Sequence, residues 1–389
     1  MSNSIATRRN GYRVRLLTGV SAMALLGFIY SAGRADAAGN DGDRPPLWVE
    51  LGFHYDRLNG LGDAFAPPFV LTSPWAADDL TSPLQVQNRI VTSTYGIDGK
   101  ISFEPNDSDW IYSASVRFGR GHSAQHVHQQ RPLPGYHATV FGQPYTFHPL
   151  ADKFGDTVVK NKEAHAIIDF QAGKDVGLGT LGKATFELGV RFAQFNTRES
   201  PNVYARAAVD VRPFNFPPYI YNLPNKYWHN YAAYGQAERN FSGVGPSISW
   251  SGETPFAGNP QDGELTLDWG VNAALLFGRQ KTKVQHHTVD IYYDAKYGYY
   301  SSPGGAAIYG RGYHKPVRHN ADIARRKNVL VPNIGGFAGL SYQWSEAKLS
   351  IGYRADFFLN AIDGGWDIHK DTARGFYGPF ASISIGLGN

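Results

Sequence analysis

Most of the chain beyond residue 37 alternates between apolar and polar positions with a period of two. In Val49–Asp56 every odd position is apolar and every even position is polar or glycine. The same alternation recurs at 95–103, 110–118, 164–172, 184–194, 265–277, 334–344, 349–357 and 380–387. Alternating segments of about ten residues, separated by turn residues, are typical of the strands of a transmembrane β-barrel. A soluble β-sandwich also alternates and is the competing architecture.

The connections between these segments favour the membrane barrel. Short connections are expected at Asn106–Asp109, Lys174–Lys183, Ser251–Gly263 and Ser345–Glu346, and long ones at 58–93, 120–160, 196–228 and 280–328. If 229–250 is one strand, short and long connections alternate along ten antiparallel strands and both termini lie on the short-turn side. Outer-membrane barrels have this arrangement, with short periplasmic turns and long outer loops. A turn at Asn240–Gly245 would instead give twelve strands.

Four tryptophans lie beside the predicted periplasmic strand ends. They are Trp48, Trp110, Trp250 and Trp344. Because tryptophan is enriched at the interface between lipid and water, we expect these side chains to form an interfacial girdle.

The first 37 residues have the features of a secretory signal peptide. Arg8, Arg9, Arg13 and Arg15 form a basic start, 16–29 is an uncharged apolar run, and Ala35-Asp36-Ala37 supplies a cleavage site. The apolar run is shorter than the ~20 residues that a membrane-spanning helix needs. We therefore predict a signal peptide at 1–37 and one barrel domain at 38–389.

Removal of this leader changes the charge of the protein. The full chain carries +4, but the leader holds five basic residues and one acid, so 32 residues of each sign remain. Such a balance gives no basic surface for nucleic acid. Both methionines also lie in the leader and the chain has no cysteine, which suits an oxidising compartment outside the cytoplasm.

The candidate chemical motifs are weak. The glycine-rich run Gly177–Lys183 resembles a phosphate-binding loop, but a strand follows it and Ala184 replaces the magnesium-binding hydroxyl, so we interpret it as a turn. The histidines at 122, 126, 128, 137, 148, 286 and 287 are interpreted as polar loop residues. We predict no metal, no cofactor and no catalytic residue. An outer-membrane hydrolase is the least favoured alternative, and it would need a Ser or Asp within hydrogen-bond reach of His54 or His165.

Charged residues recur on the strand face opposite the apolar one. The predicted lumen-lining set is Glu50, His54, Asp56, Asp98, Lys100, Arg117, His165, Asp169, Glu187, Arg191, Asp268, Arg354 and Asp356, with Glu163 and Lys348 on the same face. Acids outnumber bases there, which predicts a slight preference for cations if the lumen is an aqueous path. Alternatively these charges pair with one another and fill the interior of a narrow barrel.

Several short stretches are distinctive. They are Phe241–Pro246, Gly352-Tyr353-Arg354 leading to Phe357, Phe358, Ala361 and Asp363, the closing Gly378-Pro379-Phe380, and the turn Asp107–Trp110. In these stretches the sequence resembles the Legionella major outer membrane protein-like family of pore-forming barrels. The resemblance implies an outer-membrane location and a pore-forming or surface-antigen role. The chain ends in Leu387-Gly388-Asn389, whereas outer-membrane barrels commonly end in an aromatic residue.

These observations predict a porin-like protein of the outer membrane of a Gram-negative bacterium. Its partners are expected to be outer-membrane lipid, lipopolysaccharide and the small hydrophilic solutes or ions that diffuse through the lumen. The main alternative is a structural or adhesive surface barrel that acts through its long outer loops.

Overall fold

The protein is an antiparallel β-barrel closed by ten strands. The computed structural model describes residues 46–60, 92–105, 108–131, 136–140, 143–147, 153–177, 182–206, 226–259, 262–302, 305–344 and 346–387. The predicted signal peptide and its cleavage site lie outside these residues. Among them, no helix has the length and apolar character that crossing a membrane would require.

The strands follow the chain in a simple order. They are β1 (Leu47–Asn59), β2 (Ser93–Phe103), β3 (Trp110–Arg131), β4 (Tyr136–Val140), β5 (Gln143–Phe147), β6 (Lys153–Asp175), β7 (Lys183–Arg206), β8 (Lys226–Asn259), β9 (Gly263–Ser302), β10 (Gly305–Trp344), β11 (Ala347–Asp363) and β12 (Asp371–Leu387). β4 and β5 form a separate hairpin. The other ten strands pair with their neighbours around the barrel, and β1 pairs with β12 to close it.

Closure pairs both edges of the sheet, which lipid requires because it offers no hydrogen bonds to exposed backbone groups. Leu47 pairs with Leu387, so the first and last strands of the barrel begin and end at the same rim. The short connections lie at that rim too, and we call it the inner end. The opposite rim is the outer end. The strand β8 is continuous through Asn240–Gly245, so the count is ten and the twelve-strand alternative is wrong.

The outer wall of the barrel carries the apolar positions of the alternation. Large hydrophobic side chains stand exposed there on strand after strand, including Leu51, Phe53, Ile97, Phe170, Leu188, Ile248, Val271, Phe277, Leu330, Ile334, Ile351 and Ile383. An apolar belt of this kind, wrapped around a closed barrel, is the surface that lipid would cover.

The segment 280–328 differs from its expected form. Most of it belongs to β9 and β10, which pair residue by residue from Glu264 and Gln343 to Ser302 and Gly305. The alternation is present but polar on both faces: Gln280 and Thr282 are buried, while Lys281 between them is exposed. A strand whose two faces are both polar has no hydrophobic period, so the sequence pattern does not reveal it.

Three of the four tryptophans predicted for the interfacial girdle lie on the outer wall. Trp110, Trp250 and Trp344 are each at least 40% exposed on the outer wall near the inner end. Trp48 is different, because its position has the same parity as the buried His54 and it lines a cavity inside the barrel. The alternation along β1, rather than closeness to the strand end, decides which way this side chain points.

Candidate functional site in the barrel lumen

The lumen is divided into a packed outer half and a hollow inner half. The inner half contains a cavity of about 340 Å³ and, next to it, a smaller one of about 170 Å³. We call these the inner cavity and the middle cavity. Their linings share Glu50, Lys100, Glu187 and Arg354, so they adjoin.

An apolar layer fills the lumen above these cavities. Phe195, Phe241, Phe358 and Phe376 are at most 2% exposed although they point into the barrel. The ring of Phe195 lies 4.6 Å from that of Phe358 and 5.0 Å from that of Phe376, measured between centroids. The layer also contains residues of the same strands and of β1, β6, β9 and β10: Leu58, Ile167, Ala193, Ala274, Leu276, Val331, Ala361 and Ile362. Eight of the ten barrel strands contribute, so the layer extends across the lumen. We call it the aromatic layer.

The outer side of the aromatic layer is covered by the connection between β11 and β12. Residues 360–370, which we call the plug, leave the wall after an irregularity in the pairing between Phe358 and Ile362. Asn360 has a φ of 55°, a left-handed conformation that asparagine tolerates better than most residues. Ala361, Ile362 and Asp363 follow and are buried. The turn at Asn360 therefore directs the chain inward.

Two arginines of other strands hold the plug. Arg325 of β10 donates to Asp363 Oδ2 at 2.6 Å and to the carbonyls of Gly365 at 2.7 Å and Trp366 at 3.0 Å. Arg239 of β8 donates to the Gly364 carbonyl at 3.1 Å, and its guanidinium lies 5.5 Å from the Trp366 ring. β8 is separated from β11 by two strands, so this contact crosses the lumen.

Asp363 organises the plug from within. Its Oδ1 accepts hydrogen bonds from the backbone N–H of Gly365 and of Lys370, at 3.1 and 3.0 Å. Burial alone would raise the pKa of the Asp363 carboxyl, but the hydrogen bonds from Arg325 and these two N–H groups favour the charged form and lower it below its usual range. A carboxylate with this many donors fixes the turn geometry only while it is ionised.

The predicted lumen-lining residues all point inward, and most of them pair. Arg117 contacts Asp356 at 2.6 Å, Arg191 forms a forked pair with Asp169 at 2.7 and 3.0 Å, and Arg354 contacts Asp98 at 3.2 Å. These pairs lie around the middle cavity. Here the alternative of charges that pair inside a narrow barrel describes the observed arrangement.

The inner cavity keeps more of its charge facing open space. Glu50 and Lys100 line it and stand opposite each other on β1 and β2. Lys348 lies between Glu253 and Asp268, with its Nζ 2.7 Å from Asp268 Oδ2. The whole lining contains six acids, Glu50, Glu104, Asp175, Glu187, Glu253 and Asp268, and four bases, Lys100, Lys183, Lys348 and Arg354. The excess of acids predicted from the alternation is present in this lining.

The remaining predicted residues, His54, Asp56 and His165, come together as a buried group below the aromatic layer. Asp98 Oδ1 lies 3.1 Å from His54 Nδ1, so an acid is within reach of that histidine. Ser113, a serine on the inner face of β3, donates to Glu187 at 2.8 Å rather than to either histidine.

Sequence reasoning missed the buried arginines of the outer half. Arg239 and Arg374 are each 1% exposed, and Arg374 contacts Glu163 at 2.8 Å. Both arginines lie within alternating stretches whose other face is weakly apolar, so only their parity could have indicated an inward direction. Nothing in the sequence indicated that the plug enters the lumen.

Among the histidines outside the lumen, His126 and His128 lie exposed on β3 and both contact Asp156.

Comparisons with known proteins give only distant likenesses. The sequence matched no protein-family model and no curated protein. The translocator domain of the autotransporter NalP from Neisseria meningitidis is 9% identical and covers 95% of this chain and 97% of its own, with a TM-score of 0.25. A deltaS2 mutant of the monoaromatic hydrocarbon channel TodX is 10% identical and covers 90% and 91%, with a TM-score of 0.19. Wzi, a carbohydrate-binding β-barrel from the outer membrane of Escherichia coli, is 9% identical and covers 95% and 89%, with a TM-score of 0.12. Likenesses this low carry no argument about fold or function, and the barrel fold rests on the closed sheet of this chain itself.

Proposed function

We propose that the protein is a channel of the Gram-negative outer membrane that is closed by its plug and passes small hydrophilic solutes or ions when the plug withdraws. The observation that carries this proposal is the hollow, charged inner half of the lumen. A barrel that served only as an anchor would have its interior filled by side chains. Here cavities of about 340 and 170 Å³ adjoin in the inner half.

The plug is suited to act as a gate because its residues 364–370 form a connection rather than a part of the wall. Asp363 and Asp371 are the last paired residues of β11 and β12, so the residues between them take no part in the barrel ladder. Withdrawal of the plug would also remove Ala361 and Ile362 from the aromatic layer. The remaining aromatic side chains would then border a gap.

Channel recordings in planar bilayers test the proposal. In one variant, residues 359–373 are replaced by Asn-Gly, a pair that closes a two-residue hairpin between Phe358 and Arg374, which pair with each other in the barrel wall. We expect rare, brief openings from the wild type and discrete, long-lived openings from this variant. Reversal potentials in a salt gradient should indicate cation preference, because acids exceed bases in the inner cavity.

The matched control changes the plug without removing it. Ile368 is 78% exposed, so Ile368→Ser should leave the recordings as they are in the wild type. If neither the wild type nor the plug-replaced barrel conducts, the channel proposal fails.

A second candidate function is a surface barrel that acts through its outer extension, and the strand lengths favour it. β9 and β10 each have 40 residues, whereas a transmembrane strand needs about 9–11. Among the side chains that the structure describes, the outermost exposed large apolar residues are Phe277 on β9 and Leu330 on β10, and pairing of these two strands continues to Ser302 and Gly305. β8 pairs with β9 along this extension as far as Lys226 and Ala295, so a ribbon of three strands that narrows to two extends past the belt, where it could contact a host or matrix component.

Shortening this ribbon separates the two functions. Residues 291–316 would be removed and Asp290, which pairs with Val317, joined to it by a two-residue turn. A surface function predicts that bacteria carrying this variant adhere less to matrix-coated surfaces while its conductance is unchanged. A channel function predicts unchanged adherence.

The location and origin of the protein belong to the same proposal. A cleaved leader at 1–37 would bring the chain to the periplasm, and insertion would place the apolar belt among outer-membrane lipid with lipopolysaccharide at the outer end. The resemblance to the Legionella major outer membrane protein-like family supports this assignment. Protease accessibility of the outer extension on intact cells, together with the N-terminal sequence of the exported chain, tests both statements.

A further inference from the structure

A buried group of three metal-ligating side chains lies in the lumen between the aromatic layer and the middle cavity. His54 and Asp56 come from β1 and His165 from β6, and the three residues are 1%, 1% and 2% exposed. β2 and β3 separate these strands in the barrel, so the side chains meet inside the lumen rather than along one ladder. Buried polar groups are normally hydrogen-bonded. The burial of two imidazoles and a carboxylate side by side therefore needs a physical explanation.

Two glycines of the intervening strands make room for the imidazole rings. Gly96 pairs with His54 and Gly119 pairs with His165. A Cβ at Gly96 would lie 2.2 Å from His54 Nε2, and one at Gly119 would lie 2.3 Å from His165 Cε1. Any other residue at either position would push the ring away, so the backbone is shaped to let both histidines lean toward Asp56.

The spacing of the three polar atoms fits a shared ion better than hydrogen bonds. Asp56 Oδ2 lies 3.4 Å from His54 Nε2 and 3.5 Å from His165 Nε2. None of these three atoms has a hydrogen-bond partner among the described residues, and both distances exceed the usual 2.7–3.2 Å range for N–H···O bonds. Ligands about 2.0–2.2 Å from a tetrahedral metal ion are about 3.4 Å apart, which is close to the separation of each imidazole nitrogen from the carboxylate oxygen, and all three ligand atoms lie within 4.8 Å of one another.

The surroundings supply an orienting carboxylate and a suitable charge. Asp98 Oδ1 faces His54 Nδ1 at 3.1 Å, so a proton on Nδ1 leaves the Nε2 lone pair free for a metal. Asp56 supplies a negative charge at the site itself, and Asp98, which also contacts Arg354 at 3.2 Å, supplies a second one next to it. Arg117 also acts electrostatically on Asp56, but its guanidinium is held by Asp356 at 2.6 Å.

We propose that His54, Asp56 and His165 bind one divalent first-row transition metal ion, for which zinc fits the ligand set and the spacing. Two imidazoles and one carboxylate are common zinc ligands, and they leave a fourth position for water or another group. The ion would enter from the middle cavity, whose lining includes Asp98 and Arg117. Bound there, it would tie β1 to β6 across the lumen directly beneath the aromatic layer. This site does not depend on whether the barrel conducts, and it departs from the expectation of no metal drawn from the sequence.

Metal titration of the folded barrel tests the site. The protein is folded in detergent, treated with chelator, freed of it, and titrated separately with Zn²⁺ and Co²⁺. We expect one equivalent of Zn²⁺ to bind and to raise the midpoint of thermal unfolding, because an ion that binds only the folded state stabilises it. Co²⁺ should give the intense visible absorption of a four-coordinate ion. Absence of stoichiometric binding by the wild type would overturn the proposal.

Two variants and one control locate the bound ion. His165→Asn should abolish the cobalt absorption and the one-equivalent Zn²⁺ binding. Asp98→Asn keeps all three ligands and should weaken binding about 10–100-fold, as changes to groups that orient metal ligands do. The Asp98→Asn variant also tests the site if the His165→Asn barrel does not fold. Folding of each variant is checked by its migration, without heating, in a dodecyl sulfate gel.

The control is the double variant His126→Asn, His128→Asn, which removes two exposed histidines that contact Asp156. Its cobalt spectrum should match that of the wild type. Loss of the signal in this control, or its persistence in both His165→Asn and Asp98→Asn, would assign the ion to the surface and refute the buried site.

Discussion

The outer and inner halves of the lumen are built from the same ten strands but differ in how they treat charge and water. In the outer half, Arg374 and Glu163 form an ion pair in which both residues are at most 6% exposed. In the inner half, Lys348 pairs with Glu253, whose side chain is 42% exposed, next to the inner cavity. A charged side chain that points into the lumen can therefore be either buried away from water or hydrated, and the two halves of the lumen differ in this respect.

The two halves should differ in how much stability is lost when one partner of an ion pair is removed. A sealed charge has no water to replace its partner, whereas a charge beside a cavity is hydrated when its partner leaves. We therefore expect the loss of one partner of an ion pair to lower the free energy of unfolding more in the outer half than in the inner half. Three substitution or pH experiments probe this contrast.

The largest effect is expected from breaking the sealed ion pair. Arg374→Met leaves Glu163 buried without its cation, and we expect the free energy of unfolding to fall by about 3–5 kcal/mol. Lys348→Met is the matched change in the inner half, and we expect a loss of about 1 kcal/mol, because Glu253 can be hydrated and Asp268 keeps the hydrogen bonds that Thr266 and Ser341 donate to it. Urea unfolding of both barrels in lipid vesicles measures the difference. Equal losses would show that the inner half is as dry as the outer half.

A smaller contrast is expected from removing aromatic rings. Phe195 is 1% exposed in the aromatic layer, so Phe195→Ala should lower the free energy of unfolding by about 3–4 kcal/mol. Phe337 lines both cavities, and Phe337→Ala should cost about 1–2 kcal/mol, since part of its surface already faces open space. The same urea titrations report both values. A Phe337→Ala loss as large as that of Phe195→Ala would contradict the division of the lumen.

The smallest effect is expected from acid acting on the plug. The pKa of Asp363 is below its ordinary value of 3.8, so ionised Asp363 stabilises the plug above that pH, and the stabilisation is lost as pH falls through the lowered pKa. Asp371 adds to this effect, because hydrogen bonds from Lys327 and His369 lower its pKa although burial opposes them. We expect Trp366 to become more accessible to a quencher below about pH 4. Asp363→Asn should show this accessibility already at neutral pH, while Ile368→Ser should retain the wild-type response.

The alternation along the chain carried most of the fold. Leu51 and Phe53 had to face outward once their polar neighbours Glu50 and His54 faced the lumen, because successive strand residues point to opposite faces. The same rule placed Asp98, Arg117, Asp169 and Asp356 inside. It failed where both faces are polar, as around Gln280 and Thr282, because no hydrophobic period marks a strand there.

The candidate sites could be predicted only in part from the sequence. Parity placed His54, Asp56 and His165 on the inner face, but it gave no distances between residues of β1 and β6. The plug had no pattern at all, since its contacts with Arg239 and Arg325 join residues more than 35 positions apart along the chain. Contacts of this kind depend on how strands are arranged around the barrel.

By itself, the sequence indicated which residues of most strands face outward and which face inward and predicted a barrel of ten or twelve strands, because a period of two is a local property of each strand. Only the tertiary structure decided which charges pair, which half of the lumen is sealed, and that two histidines and an aspartate share one buried point. Those features depend on strand order and register, through which side chains distant in sequence meet across a closed lumen.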